Sequence, residues 1–315
     1  MGARPAFPVA RPLPRDWFLP APGGPGEVCP LGPPGRRPAS PGREAWTRFR
    51  RNPLAVPGLV VLVLIAGGVL LGPHLARVPY DRIDLAHQNE PPGPRHWFGT
   101  DQLGRDTFAR TWVAGRVSLL VGLAAAGIDV GIGAVYGGVA GLAGGWVDEG
   151  MMRVVDVLYG VPFLLVAILL LLVMGPGPMS VVVAIAMVNW LGMARLVRGQ
   201  VLLLKEQEYV LAARALGVPK WRILLRHLLP NACGPMLVWL SYNIPAAIFA
   251  EALLAYVGLG IQPPLASWGS MVSSGSVLFR LHPSQFLFPA SALSLTMLSL
   301  YAVGDGLRDA LDPRT

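Results

Sequence analysis

The chain has 315 residues, of which 53% are hydrophobic and 14% are charged, and its mean hydropathy is +0.51. A soluble domain usually has about 25% charged residues, so this chain lacks the charge to cover a water-facing surface of its size. Its apolar residues fall in blocks of about 20, the length that crosses a bilayer. The composition indicates an integral membrane protein and excludes a nucleic-acid-binding protein, despite the net charge of +8.

The N-terminal segment differs in composition from the rest of the chain. Residues 1–42 contain 12 prolines and 7 glycines and show no apolar periodicity. They also lack the short apolar core and small-residue cleavage site of a signal peptide. We predict a disordered cytoplasmic tail over residues 1–45, because such a segment has too few apolar groups to form a core.

The remaining residues predict an all-α integral membrane protein with six transmembrane helices. Residues 46–116 contain the first helix and a polar, proline-rich extracytoplasmic loop, and residues 117–304 form the transmembrane core. Within the core, residues 195–235 are a basic loop, and residues 305–315 form a C-terminal tail. The helices are predicted at about 54–76, 117–142, 158–174, 180–194, 236–257 and 286–304.

The distribution of lysine and arginine predicts the orientation. With six spans, the segments on the side of the termini hold 19 of these residues, and the opposite side holds 7. Cytoplasmic loops carry the excess of positive charge, so both termini are expected in the cytoplasm. The basic residues are therefore interpreted as topology signals and headgroup contacts.

The second predicted helix is rich in glycine. Its overlapping GxxxG pairs are formed by Gly127, Gly131, Gly133, Gly137 and Gly141. Small residues at this spacing let helix backbones approach closely in lipid. The helix is therefore expected to pack at the centre of the bundle.

Polar residues within the spans are candidates for a transport pathway. Glu251 and Asp129 are carboxylates inside predicted helices, where a charge is costly and often functional. The alternative is a neutral acid bonded to a neighbouring helix, which the glycine-rich surroundings favour for Asp129. Asn189 and Asn243 are further pathway candidates, although interhelical hydrogen bonding is the more common role of such residues.

The chain shows no site for catalysis, a cofactor or a metal. Its five histidines are scattered, and its cysteines, Cys29 and Cys233, are far apart and lack ligand-spaced partners. Neither Lys205 nor Lys220 follows glycine, so neither fits the Gly-Lys-Ser/Thr of a phosphate-binding loop. If ATP drives the protein, another polypeptide must hydrolyse it.

The basic loop contains the most specific segment, "KEQEYVLAARALGVPKWRILLRHLLPN" at 205–231. Four residues at helical spacing, Tyr209, Ala212, Ala213 and Leu216, predict one exposed face. Gly217 fits a left-handed C-cap, and a second, basic helix is predicted over 220–229. The pattern predicts a docking element, and the acidic start and small-residue face of the first helix favour a protein partner. The alternative is a helix that lies among the lipid headgroups.

This segment resembles the EAA loop of ABC-importer permeases, with Ala212 and Ala213 followed at the family's distances by Gly217, Leu229 and Pro230. Leu211 and His227 depart from the family's glutamate and isoleucine. The blocks "HWFGTDQLGRD" (96–106), "GGWVDEGMMRVVDVLYGVPFLL" (144–165) and "EALLAYVGLGIQPPLASWG" (251–269) resemble the C-type permease of the dipeptide, oligopeptide and nickel branch.

The resemblance implies the pore subunit of an importer in the inner membrane, not an enzyme. Its implied partners are a second permease subunit, two ATPase subunits and an extracytoplasmic substrate-binding protein. It implies that the ATPase-coupling residues are Glu208, Tyr209, Ala212, Ala213, Leu216, Gly217, His227 and Pro230. The main alternative is a secondary, ion-coupled transporter that uses Glu251, and the substrate stays open among dipeptides, oligopeptides and nickel.

Overall fold

The structure, a computed structural model, describes residues 41–311. The tail predicted before residue 41 lies outside the described residues. Apart from an isolated bridge between Thr100 and Asp106, the regular structure of the described residues is helical. The α-helices are α1 Pro41–Arg51, α2 Ala55–Leu75, α3 Thr107–Ala143, α4 Gly145–Tyr159, α5 Phe163–Met174, α6 Pro178–Leu204, α7 Glu208–Ala215, α8 Lys220–Ile223, α9 Leu229–Tyr256, α10 Trp268–Val277 and α11 Ser284–Leu311.

Five helical stretches in the described part of the chain are long and apolar enough to cross a membrane. They are α2, α3, α6, the continuous stretch Lys220–Tyr256 that ends with α9, and α11. The predicted number of six is reached if α4 and α5, which are bent by 84° relative to each other, count as one span. At 1.5 Å per residue, the 12 residues of α5 extend only about 18 Å, too short to cross a bilayer alone.

Several helices extend beyond the predicted boundaries. Helix α3 begins at Thr107 rather than near 117, and α6 continues to Leu204 rather than ending near 194. Helix α11 includes most of the predicted C-terminal tail, and α1 begins at Pro41, inside the boundary predicted at 45. Charged residues lower the local hydropathy but do not interrupt helical hydrogen bonding. Charged residues therefore shorten the apolar segment that is recognised in the sequence, but they do not shorten the helix.

Two ion pairs attach α4 to α6. The guanidinium of Arg198 donates two hydrogen bonds to Asp148, from Nε at 2.5 Å and from Nη2 at 2.8 Å. One turn away, Arg195 Nη2 lies 2.7 Å from Oδ1 of Asp156. A bidentate arginine–carboxylate pair fixes orientation as well as distance. These pairs hold α4 against α6 up to the bend between α4 and α5 at Gly160–Pro162.

The glycine-rich helix α3, which the sequence predicted to be a packing helix, packs against α6, but only part of its glycine pattern is used. A Cβ at Gly133, Gly137 or Gly141 would collide with Met193, Ala194 or Val201 of α6. By contrast, a Cβ at Gly127 or Gly131 would meet nothing within 4 Å. The close helix approach is therefore made by one face of α3.

Many large apolar side chains point outward from the bundle. Leu64 and Leu71 on α2 are 68% and 61% exposed, and Val173 on α5 is 85% exposed. A soluble protein rarely exposes apolar surface on this scale. Such faces fit lipid or another membrane subunit, in agreement with the composition.

Candidate functional site

The segment that follows α6 folds as a short helix, a turn and a second helical stretch. Val210 of α7 is fully buried and packs in a cluster with Val201 of α6 and with Ile223 and Leu228. This valine sets the rotation of α7 about its axis. The sequence analysis did not single it out, and the adjacent Leu211, which is exposed, shows that apolar character alone did not mark the buried face.

The rotation of α7 divides the predicted exposed face. Tyr209, Ala212 and Leu216 are exposed as expected, and Leu216 reaches 84% exposure. Ala213 instead is half-buried and packs against the same core cluster as Val210. The prediction of one four-residue face was therefore wrong for Ala213. At 100° per residue, this alanine lies only 60° from Val210 and turns inward with it.

Gly217 ends α7 in the way that the sequence predicted. Its φ is +77°, a left-handed conformation. The N–H of Gly217 donates to Arg214 O at 2.9 Å, and the N–H of Val218 donates to Ala213 O at 3.1 Å. Together these bonds form a Schellman motif, and Ala213 and Val218 supply its apolar contact. The direction of the chain after α7 is thus fixed by backbone geometry.

The second helical stretch departs from a simple amphipathic helix. After α8, residues Leu224–Leu228 form a π-helical turn that leads directly into α9. Pro230 is exposed near the start of α9, so the stretch is continuous from Lys220 to Tyr256 and Pro230 does not separate it from the span. His227 is half-buried, with its ring 6.5 Å from the ring of Tyr209, and Glu208 is exposed in the first turn of α7.

Two of the four polar residues considered for the pathway share one cavity. Asn189 of α6 and Asn243 of α9 both line a cavity of about 390 Å³, next to the bend at 159–163. Trp239 and Tyr159 also line it, and a Cβ at Gly192 would collide with the Trp239 ring. Trp239 lies four residues before Asn243, so helical periodicity would have placed the two side chains on one face.

Asp129 contributes to this region from behind the cavity wall. Its Oδ2 accepts a hydrogen bond of 2.6 Å from Nδ2 of Asn243. The carboxylate is fully buried, and its Oδ1 has no hydrogen-bond partner among the described residues. The contact therefore links α3 to α9 and holds the amide of Asn243 in position.

Glu251 does not line this cavity. It is fully buried and accepts a hydrogen bond of 3.2 Å from Ser118 Oγ of α3. Ser118 Oγ in turn accepts the backbone N–H of Trp268 at 3.1 Å, and the Trp268 ring donates to Thr111 O at 2.8 Å. The structure thus places Glu251 in a cluster that joins α3, α9 and α10.

Within residues 41–311, no group of three His, Cys, Asp or Glu side chains could hold a metal ion. The described features are instead membrane-length helices, a cavity between α6 and α9 that two asparagines line, and a short, exposed helix that follows α6. They define a polytopic helical membrane protein with the parts of a transport subunit.

The chain belongs to the family of binding-protein-dependent transport system inner membrane components, whose model matches residues 133–315. A second model, the N-terminal TM domain of oligopeptide transport permease C, matches residues 40–92. These matches confirm the resemblance found in the sequence. They include α7, the cavity residues and Glu251 in the first model and α2 in the second.

Curated relatives agree with this assignment. The chain is 45% identical over 302 residues to the oligopeptide transport system permease protein OppC of Bacillus subtilis, covering 96% of this chain and 98% of the relative. It is 50% identical over 273 residues to the dipeptide transport system permease protein DppC of the same organism, covering 86% and 85%. It is 41% identical over 279 residues to the glutathione transport system permease protein GsiD of Pectobacterium atrosepticum, covering 87% and 92%.

Proposed function

We propose that the chain is the transmembrane permease subunit of an ABC importer and forms half of a translocation pathway for peptides or related small solutes. The family membership supports the transport role, and relatives named for oligopeptide, dipeptide and glutathione transport support a peptide-like substrate. A second permease subunit would complete the pathway, and an extracytoplasmic binding protein would deliver the solute. ATP would be hydrolysed by two separate ATPase subunits.

The observation that carries the coupling part of this proposal is the build of α7. Its outer face, with Ala212 and Leu216, is exposed, while Val210 and the Schellman motif at Gly217 fix the helix to the bundle. A rigid helix with an exposed apolar face is suited to transmit movement from a partner to α6 and α9, which flank it in the chain. We propose that the ATPase subunits bind α7 and that Glu208, Tyr209, His227 and Pro230 lie close to this contact.

The orientation proposed here has both termini in the cytoplasm of the inner membrane. The excess of lysine and arginine on the side of residues 195–235 supports it, 19 against 7. This orientation places α7 on the side of the ATPases. It places α10 and residues 77–106 on the side of the binding protein.

The pathway itself is proposed to pass Asn189 and Asn243, because these two polar side chains line the cavity between α6 and α9. Glu251 is less suited to an ion-coupled mechanism, since it is fully buried and bonded to Ser118. We therefore assign Glu251 to helix packing rather than to the pathway.

The test is reconstitution of the chain in proteoliposomes with its partner permease, the two ATPases and the binding protein. We expect a labelled peptide to be taken up only when ATP is present in the compartment that contains the ATPases. Uptake should stop when an ATPase is inactivated. Uptake that needs a proton gradient and no ATPase would contradict the proposal and support the secondary transporter. Replacing the ATPase with a hydrolysis-deficient variant is the matched control.

A further inference from the structure

A second polar site lies at the end of the bundle opposite α7, around Arg110 in the first turns of α3. Arg110 is only 7% exposed, and its Nη1 is buried without a hydrogen-bond partner among the described residues. A buried, unpaired guanidinium nitrogen is costly, because it has lost water without gaining an acceptor. Such a group is a candidate for binding a ligand that supplies the missing acceptor.

Two cavities meet at this arginine. The larger, about 270 Å³, lies beside the C-terminal end of α9 and is lined by polar side chains from α10 and the preceding loop. These include Gln262, Ser270, Ser273 and Ser274, together with Arg105 and Arg110. The smaller, about 40 Å³, is lined by Arg110, Ser274 and Thr107, whose Oγ1 is also buried and unpaired among the described residues. We call the two together the outer arginine site.

The charge of the outer arginine site is positive. Asp101 Oδ2 lies 2.7 Å from Nε of Arg105 and 3.5 Å from Nε of Arg110, so one carboxylate serves two guanidinium groups. Asp101 contacts both arginines at Nε, and Nη1 of Arg110 receives no hydrogen-bond acceptor from the described residues. Asp101 also lines the smaller cavity, whereas none of the described residues that line the larger cavity is acidic. The site therefore carries one uncompensated positive charge next to hydroxyl and amide groups.

We propose that the outer arginine site binds the free carboxylate of the transported solute. A carboxylate matches the planar fork of a guanidinium, and the bond is strengthened because both groups are charged. The hydroxyls of Ser270, Ser273 and Ser274 on α10, which line the larger cavity, can donate to the second oxygen. This inference rests on the proposed function, and it defines the substrates as solutes with an anionic end, such as peptides with an unmodified C terminus.

The position of the site suits the first contact with a delivered solute. Helix α3 has 37 residues and is about 55 Å long, so it exceeds the roughly 30 Å of the hydrocarbon layer. Arg110 is in the first turn of α3, at the end that the proposed orientation places outside. A solute released by the binding protein would meet this site before the cavity of Asn189 and Asn243.

The experiment compares uptake of one peptide as its free acid and as its C-terminal amide, in the reconstituted importer. Arg110→Gln removes the charge, and Ser274→Phe fills the mouth of both cavities while leaving Arg110 in place. Val277→Phe, on an exposed position of α10 outside both cavities, is the matched control. The wild-type and variant importers are all assayed with the same binding protein. The selectivity of that protein for acid or amide therefore cancels in the ratio of variant uptake to wild-type uptake.

We expect Arg110→Gln and Ser274→Phe to reduce uptake of the free acid by about tenfold or more, the scale of one charge-assisted hydrogen bond. The amide should be transported at the wild-type rate by both variants, and Val277→Phe should change neither rate. Arg110→Lys should restore part of the uptake of the free acid, because it keeps the charge without the planar fork.

Three results would overturn the inference. Unchanged uptake of the free acid would show that water satisfies Arg110, and an equal loss for acid and amide would show a structural role. If wild type takes up too little amide to measure, the ratio of variant to wild type is obtained instead from the inhibition of labelled-acid uptake by unlabelled acid and by unlabelled amide. The variants could also need a higher concentration of binding protein for half-maximal ATP hydrolysis, whichever ligand is used. That result would mean that the site binds a carboxylate of the binding protein instead. Absence of ATP-driven uptake in wild type would count against the proposed function rather than this site.

Discussion

Nδ2 of Asn243 donates a hydrogen bond of 2.6 Å to Oδ2 of Asp129 and so connects α9 to α3 beside the cavity that Asn243 lines. One residue thus takes part in both helix packing and the lining of the cavity. The pair is fully enclosed on the side of Asp129, whose other oxygen has no partner among the described residues. Substitutions can separate the two roles.

Asn243→Leu should lower the thermal stability of the detergent-solubilised protein, by about 1–3 kcal/mol, because it leaves a buried carboxyl group unpaired. The double variant Asp129→Leu with Asn243→Leu should recover much of that stability, since both polar groups are removed together. Uptake should stay low in the double variant, because the cavity has lost an amide. Recovery of both stability and uptake would show that Asn243 acts only in packing.

Glu251→Gln should be tolerated, whereas Glu251→Leu should destabilise the protein by about 1–3 kcal/mol. Gln keeps an oxygen that can accept the hydrogen bond from Ser118, and Leu does not. Thermal unfolding and uptake should be measured on both variants. Loss of uptake in a stable Glu251→Gln protein would contradict this assignment and support a titrating carboxylate.

Gly137→Val should reduce the amount of folded protein in the membrane, because its side chain would collide with the backbone of Ala194 on α6. Overpacking of this kind typically costs about 1–3 kcal/mol. Gly131→Val is the matched control on the same helix, where a Cβ meets no atom within 4 Å. Equal loss of folded protein in the two variants would mean that helix propensity, rather than the α3–α6 contact, decides the outcome.

Ala212→Asp should insert normally and lose the ATPase subunits, because it places a charge on the exposed face of α7. Ala213→Asp should instead lower stability, because Ala213 packs inward beside Val210. Gly217→Asp should also lose coupling, since its φ of +77° costs a residue with a side chain roughly 1–2 kcal/mol. The measurements are co-purification of the ATPases and ATP hydrolysis stimulated by the loaded binding protein.

Retention of the ATPases and full stimulated hydrolysis in Ala212→Asp and Gly217→Asp would refute coupling through α7. The helix would then be assigned to the lipid headgroup region, which Trp221 and Arg222 also suit. Ala213→Asp distinguishes loss of folding from loss of docking, because of the two alanine variants only this one should lower thermal stability.

The proposed topology predicts opposite labelling of two sites in a chain without native cysteines. Cys29 and Cys233 are first replaced by alanine. A cysteine at Pro92, which is exposed, should react with a membrane-impermeant reagent added outside, and a cysteine at exposed Leu216 should react only after permeabilisation. The reverse pattern would overturn the orientation and, with it, the proposed position of α7.

The sequence by itself determined the class of the protein and the way in which α7 ends. Apolar blocks of bilayer length reveal a helical membrane protein, because lipid requires every backbone polar group to be satisfied within the helix. Gly217 could be assigned a left-handed conformation because the C-cap is a local feature of the chain. The motif blocks likewise sufficed for the family, since they depend only on residue identity and spacing.

Only the tertiary structure decided which faces of the helices are used. Gly131 and Gly137 have the same sequence signature, yet only Gly137 contacts α6, because the rotation of a helix is set by all its neighbours together. For the same reason, Asn189 and Asn243 share a cavity while Glu251 is enclosed with Ser118, although all three are polar residues in apolar helices. The sequence also could not predict the unpaired nitrogen of Arg110, because residues from segments far apart in the chain surround and bury this side chain.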